Sequence, residues 1–214
     1  MSTKSESRAE RRAAARNTLV WDAPTRLFHW LLAASFAGAY VTAESERWRL
    51  VHTTLGCTVA GLVAFRVAWG LAGTRHARFA AFVRGPRAVT AYVRSIFSGG
   101  PRHYTGHNPA GSVAIVLLLA LAAAASASGW ILDSVDVHAL EELHEGIANA
   151  MLAVVMVHVA GVAANSAIHR ENLVAAMVDG RKRAPATEAI ARPWRGMAIV
   201  LAAAVAAFWL SRWM

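Results

Sequence analysis

Two histidines, His144 and His158, lie in the apolar stretch "ELHEGIANAMLAVVMVHVAGVAANSA" (residues 142–167). An ionisable side chain in a segment this apolar is expensive and points to function. Their spacing of fourteen residues separates them by about 21 Å along a helix and by only about 40° around it. One helix would therefore present one imidazole near each face of a bilayer, both toward the same side. Such an arrangement needs partners on other helices.

The elements able to supply them are apolar. Residues of the AVILMFWYC class make up 56% of the 214-residue chain, and the mean hydropathy is positive, which is unusual for a soluble domain. Apolar runs at 27–43, 51–72, 112–132, 145–166 and 196–210 approach the roughly 17–25 residues that cross the hydrocarbon. The expected fold is an all-α integral membrane bundle of four helices plus a fifth, C-terminal span, the shortest run. Abundant Ala and Gly in these runs suit close helix packing in lipid. Residues 1–20 are expected to be a disordered basic tail and 21–182 the membrane domain. Residues 183–195 are expected to be a basic linker and 196–214 the fifth helix. The polar, basic start has no cleavable-signal pattern.

Charge sets the orientation. Residues 1–26, 73–111 and 167–195 each hold six Lys/Arg, whereas 44–50 holds two and 131–145 none, with five acids in the latter. The positive-inside rule places the three basic segments in the cytoplasm. The net charge of +9 is then mainly a topology signal, and no nucleic-acid partner is expected. The single Cys57 leaves no disulfide to form and reads as a small packing residue. "PRAVTAYVRSIF" (86–97) has helical apolar spacing after a leading Pro and predicts a helix on the inner membrane surface. "GHNPAG" (106–111) predicts a helix start with Asn108 as cap and Pro109 in the first turn.

Depth now pairs the histidines. His29 enters the first span from the inside and His52 opens the second from the outside. His144 lies near the outer face and His158 nearer the inner. The pairs are His29 with His158 and His52 with His144. His76, His103, His107, His138 and His169 lie outside the apolar runs and read as surface or interfacial residues. A zinc or copper ion gathers three or four ligands, but here each depth supplies two. Two axial nitrogens on opposite sides of a macrocycle are what a six-coordinate haem iron takes, leaving no open position and favouring electron transfer. Gly56, Gly146 and Gly161 would leave room beside a ring. Arg26, Arg66 and Arg170 are candidate partners for the propionates.

The segments "WDAPTRLFHW" (21–30), "HTTLG" (52–56) with "FRVAWG" (65–70), "RHARFAAFVRGPRAV" (75–89), "GHNPAG", and "HEGIANAMLAVVMVHVAGV" running into "HRENLVAAMVDGRK" (144–182) together resemble the bacterial cytochrome b561 and Ni,Fe-hydrogenase cytochrome b family. The resemblance implies a four-helix bundle with two non-covalent b-type haems. His29 would be the ligand on the first helix, His52 on the second, and His144 and His158 on the fourth. It further implies electron transfer in the bacterial inner membrane between the quinone pool and a redox partner. That partner would be a periplasmic c-type cytochrome or a hydrogenase or dehydrogenase subunit, and a homodimer stays open. Two other readings compete. A superoxide oxidase passing electrons to quinone should carry a positive outer funnel, and the outer loops are neutral to acidic. A transporter should show inverted repeats and broken helices, and neither is seen.

Overall fold

The structure is a computed structural model and describes residues 16–135 and 137–214. In chain order the elements are β1 (Arg16–Leu19), α1 (Ala23–Thr42), α2 (Arg49–Ala72), α3 (Phe79–Phe82), α4 (Pro86–Phe97), α5 (Pro109–Leu132), α6 (His138–His169), α7 (Leu173–Asp179), β2 (Arg181–Ala184) and α8 (Arg195–Trp213).

Helix starts follow local chemistry. Asp22 caps α1 by accepting from the Thr25 N–H at 2.7 Å, with Pro24 in the first turn. Asn108 caps α5 by accepting from the Gly111 N–H at 2.7 Å, with Pro109 at the first position. Each side chain satisfies a donor that the helix leaves unpaired. α4 forms over the residues whose apolar spacing predicted it.

α2 with the turn before it, α5, α6 and α8 are long and apolar enough to cross a membrane. α8 is the fifth apolar run, and it is helical throughout. α1 spans 20 residues, about 30 Å, but Arg26 and His29 in its first two turns keep it out of that set. It is sheltered instead, packing along α2 on one side and α8 on another. α2 packs on α5 and α5 on α6, while α1 and α6 stand apart across a gap bridged by the Tyr40 hydroxyl donating to Asn149 Oδ1 at 2.8 Å. One core runs through all five, built by Phe28, Val59, Leu62, Val63, Leu119, Ala122, Met151 and Leu201. Outward residues such as Met156, Val157, Ile199 and Val200 are apolar and exposed, as lipid contact requires. The chain is an all-α, multi-pass membrane bundle.

The end of the bundle where α1 starts, called the inner end for reference after the charge pattern, carries a polar cap. β1 and β2 pair antiparallel in the register Arg16–Ala184 to Leu19–Arg181. The Val20 and Trp21 N–H groups both donate to the Gly180 carbonyl. Val20, Trp21, Ala176 and Ala184 form a second small apolar cluster. The expectation of a disordered tail through residue 20 is thus corrected for Arg16–Leu19, because a distant strand supplies their backbone partners; residues 1–15 lie outside the described residues. The expected linker 183–195 likewise contains the end of β2 and a short 3-10 turn, Ala186–Glu188.

Two buried polar nodes fasten this end. Asp22, 1% exposed, accepts from Trp69 Nε1 at 3.1 Å and from the Thr74 hydroxyl, locking the start of α1 to the end of α2. Glu171 accepts from the Arg183 N–H at 2.8 Å and pairs with Lys182 at 3.5 Å and His103 at 3.0 Å. Burial alone would raise the Glu171 carboxyl. The His103 hydrogen bond, the Lys182 charge and the Arg183 amide outweigh it and hold the group at about 2.

Two outcomes follow. Asp22→Ala removes a cap and strands the Trp69 and Thr74 donors, a loss of about 3 kcal/mol. It is read as a lowered midpoint of thermal unfolding in detergent, with Asp22→Asn falling less. A depressed carboxyl stabilises the fold above its unfolded value and loses that contribution as pH falls through its folded one. The midpoint should therefore drop as pH is lowered from about 4.5 toward 2, and Glu171→Gln should flatten that drop.

Candidate cofactor site

The outer histidine pair is assembled by four helices. His52 lies in the first turn of α2 and His144 in the second turn of α6. Their ring centres are 6.2 Å apart and the planes nearly perpendicular, at 79°. His52 Nδ1 is 2.8 Å from the Ala39 carbonyl of α1, which can only accept, so the proton sits on Nδ1 and the Nε2 lone pair is free. The Ser128 hydroxyl of α5 donates to the Ala125 carbonyl at 3.1 Å and accepts from His144 Nδ1 at 2.9 Å. Both rings therefore leave Nε2 able to act as a ligand and are oriented through Nδ1, the usual support of a metal-binding histidine. Two metal–imidazole bonds of about 2 Å on opposite sides of one ion set ring centres about 6 Å apart. The observed spacing fits one ion held between two nitrogens.

Gly129 makes room for this pair, since a Cβ there would lie 3.1 Å from His144 Cε1. Neither Gly129 nor Ser128 stands out in the sequence, because small residues are everywhere in α5. Gly56, Gly146 and Gly161 border open space, with nothing within 4 Å of an added Cβ.

The inner pair joins α1 to α6. His29 and His158 are both half-buried and close enough to interact electrostatically. His29 packs edge-on against Trp30 at 5.0 Å. Its Nδ1 is buried without a partner, as are Thr25 Oγ1, Arg26 Nε, Arg66 Nη1 and His107 Nδ1. All five sit at the inner end. Unpaired buried polar atoms are costly and rare, and those on Arg26 and Arg66 are what a bound group with anionic oxygens would satisfy. Among the described residues no three His, Cys, Asp or Glu gather around one point; the donors come in pairs.

The arginines divide. Arg66 is 3% exposed, donates through Nη2 to the Ala77 carbonyl at 3.0 Å and lies 4.9 Å over the Phe79 ring, leaving Nη1 unused. Arg26 donates through Nη1 to the Val178 carbonyl. Arg170 is exposed and ends α6 in the left-handed conformation, at φ 50°, with no side-chain contact to this cluster among the described residues.

Two histidines expected at the surface are not there. His76 is buried, with Nε2 donating to the Glu188 carbonyl at 2.8 Å. His107 is wedged between Trp21 and Phe82, each ring 4.6 Å away. Burial first, then the charges of Arg66 and Lys182, hold His107 down at about 3, so it is a neutral imidazole at any physiological pH. Both lie outside the apolar runs, and their burial arises from the folded 73–111 segment. His103 and His138 keep the polar surroundings expected of them, each beside a glutamate.

The model of the prokaryotic cytochrome b561 family matches residues 20–180, the stretch that contains both histidine pairs. No curated protein and no solved structure matches the chain. The matched span covers most of the sequence, so the chain belongs to the prokaryotic cytochrome b561 family and is a membrane b-type cytochrome of electron transfer.

Proposed function

We propose that the protein binds two b-type haems, one between His52 and His144 and one between His29 and His158, and passes electrons across the bilayer. The carrying observation is the outer pair, with ring centres 6.2 Å apart and both Nδ1 atoms occupied, which leaves both Nε2 lone pairs unused. His29 and His158 form the second pair at the other end of the bundle, where the unpartnered nitrogens of Arg26 and Arg66 would suit propionates.

Bound haem would supply reversible one-electron chemistry. The chain's residues do the rest. The Ala39 carbonyl and the Ser128 hydroxyl fix the ligand rings and raise their basicity. Arg66 and Arg26 hold positive charge where propionates would need it. The apolar core of Leu62, Leu119 and Ala122 keeps water from the space between the sites. His144 and His158 share α6, so the two sites stand about 21 Å apart along it.

The electron path would join the quinone pool to a redox partner at a membrane face, with the N-terminus in the cytoplasm. The acidic outer segment, with Asp133, Glu141, Glu142 and Glu145, suits a periplasmic partner with a basic contact patch, such as a c-type cytochrome. A hydrogenase or dehydrogenase subunit is the other class of partner.

Replacing His52 or His144 by Ala should remove the outer haem alone, and replacing His29 or His158 the inner one. Haem-to-protein ratios should fall by half in each single variant, with loss of one of two low-spin electron paramagnetic resonance signals. Variants that all retain both haems would overturn the assignment. Ser128→Ala should keep both haems and raise one midpoint potential, because the His144 imidazole loses the acceptor that strengthens it as a ligand. An unchanged redox titration would remove Ser128 from the site.

A further inference from the structure

The chain enters α8 through Ile190–Arg195, beyond the family-matched residues 20–180. Two adjoining cavities open here at the inner end. The first, about 370 Å³, is lined by Thr74, Arg75, Ile190, Arg192 and Trp194 among others. The second, about 310 Å³, lies between Arg192, Pro193, Trp194 and Arg195. The linings contain three arginines and no acid. Arg75 donates to the Thr187 carbonyl at 3.3 Å, and among the described residues none of the three makes an ion pair.

The pocket is held in shape. The Ala23 N–H donates to the Pro193 carbonyl at 2.8 Å, tying the turn to the start of α1. Trp194 adopts a left-handed backbone, φ 54°, a conformation that costs a non-glycine residue about 1 kcal/mol or more. Its indole packs edge-on against Trp69 at 5.6 Å, which is itself held by Asp22, and it stays 49% exposed. The following turns of α8 point Ile199 and Val200 outward, 68% and 61% exposed. The cationic pocket and a half-exposed tryptophan thus stand where an apolar helix surface begins.

We infer that this pocket binds the headgroup of an anionic phospholipid of the inner leaflet. Arg192 and Arg195 take the phosphate, Trp194 lies at the headgroup level, and the acyl chains run down α8 over Ile199 and Val200. Arginine pairs phosphate through a planar fork of donors, tryptophan favours the interface, and basic pockets beside membrane helices at the cytoplasmic side suit anionic lipids. The continuous apolar surface below the arginines selects a lipid over free phosphate. The inference rests on α8 lying in the membrane and on the proposed cytoplasmic N-terminus, and is independent of how many haems are bound.

The test is native mass spectrometry of the full chain in detergent, titrated with phosphatidylglycerol or with phosphatidylcholine of the same acyl chains. The wild type should prefer phosphatidylglycerol roughly tenfold. Arg192→Ala with Arg195→Ala should abolish that preference while the haem spectrum stays that of the wild type. Arg87→Ala with Arg94→Ala, on the exposed face of α4, should leave it intact. Millimolar inorganic phosphate should not compete. Equal binding of the two lipids, an unaltered preference in the 192/195 variant, equal loss in the α4 variant, or competition by phosphate would each overturn the assignment.

Discussion

An imidazole inside a membrane bundle has two nitrogens, and the apolar surroundings offer water to neither. One nitrogen can be satisfied by a backbone carbonyl or a hydroxyl on a neighbouring helix, but the other then faces inward with its lone pair unused. His52 and His144 are in this condition, tied at Nδ1 to Ala39 and Ser128, with ring centres 6.2 Å apart. The bundle is organised around that need. α5 supplies Ser128 and the space left by Gly129, and α1 supplies the Ala39 carbonyl.

Because two helices contribute one histidine each to the inner pair, the register of α1 against its neighbours matters more than its hydropathy. α1 is the one of the five long helices not apolar enough over its length to count as a membrane span among the described residues, and its place is fixed by polar contacts at the inner end. Asp22 joins it to Trp69 and Thr74 of the α2 end, and the Ala23 N–H joins it to the turn before α8. The β1–β2 pair and the Glu171–Lys182–His103 node close the same end. This cap gives polar residues their partners outside the lipid and leaves the buried part of the bundle to small and aliphatic side chains, whose close packing holds helices together in a membrane.

Local chemistry made much of this legible in the sequence. Apolar run lengths, the Asn108–Pro109 helix start and the periodicity of 86–97 depend on residues close in the chain, and the structure places helices on those runs. Features that depend on distant residues were hidden. The strand at Arg16–Leu19 exists because Arg181–Ala184 comes alongside. His107 and His76 are polar in a polar loop, yet folding packs one against Trp21 and Phe82 and brings the other under Glu188. Ser128 and Gly129 gain meaning only beside His144, and Arg66 only once Phe79 and Phe82 fold over it. Arg170, singled out for its place after the helix, is exposed at the end of α6.

The most direct measurement is a reduced-minus-oxidised absorption spectrum of the purified full-length chain, with haem and protein quantified on the same sample. Two imidazole pairs predict two b-type haems per polypeptide, both low-spin and without a ligand-binding position open to carbon monoxide. A ratio of one or none, or a spectrum that shifts fully on adding carbon monoxide, would contradict the paired-histidine account.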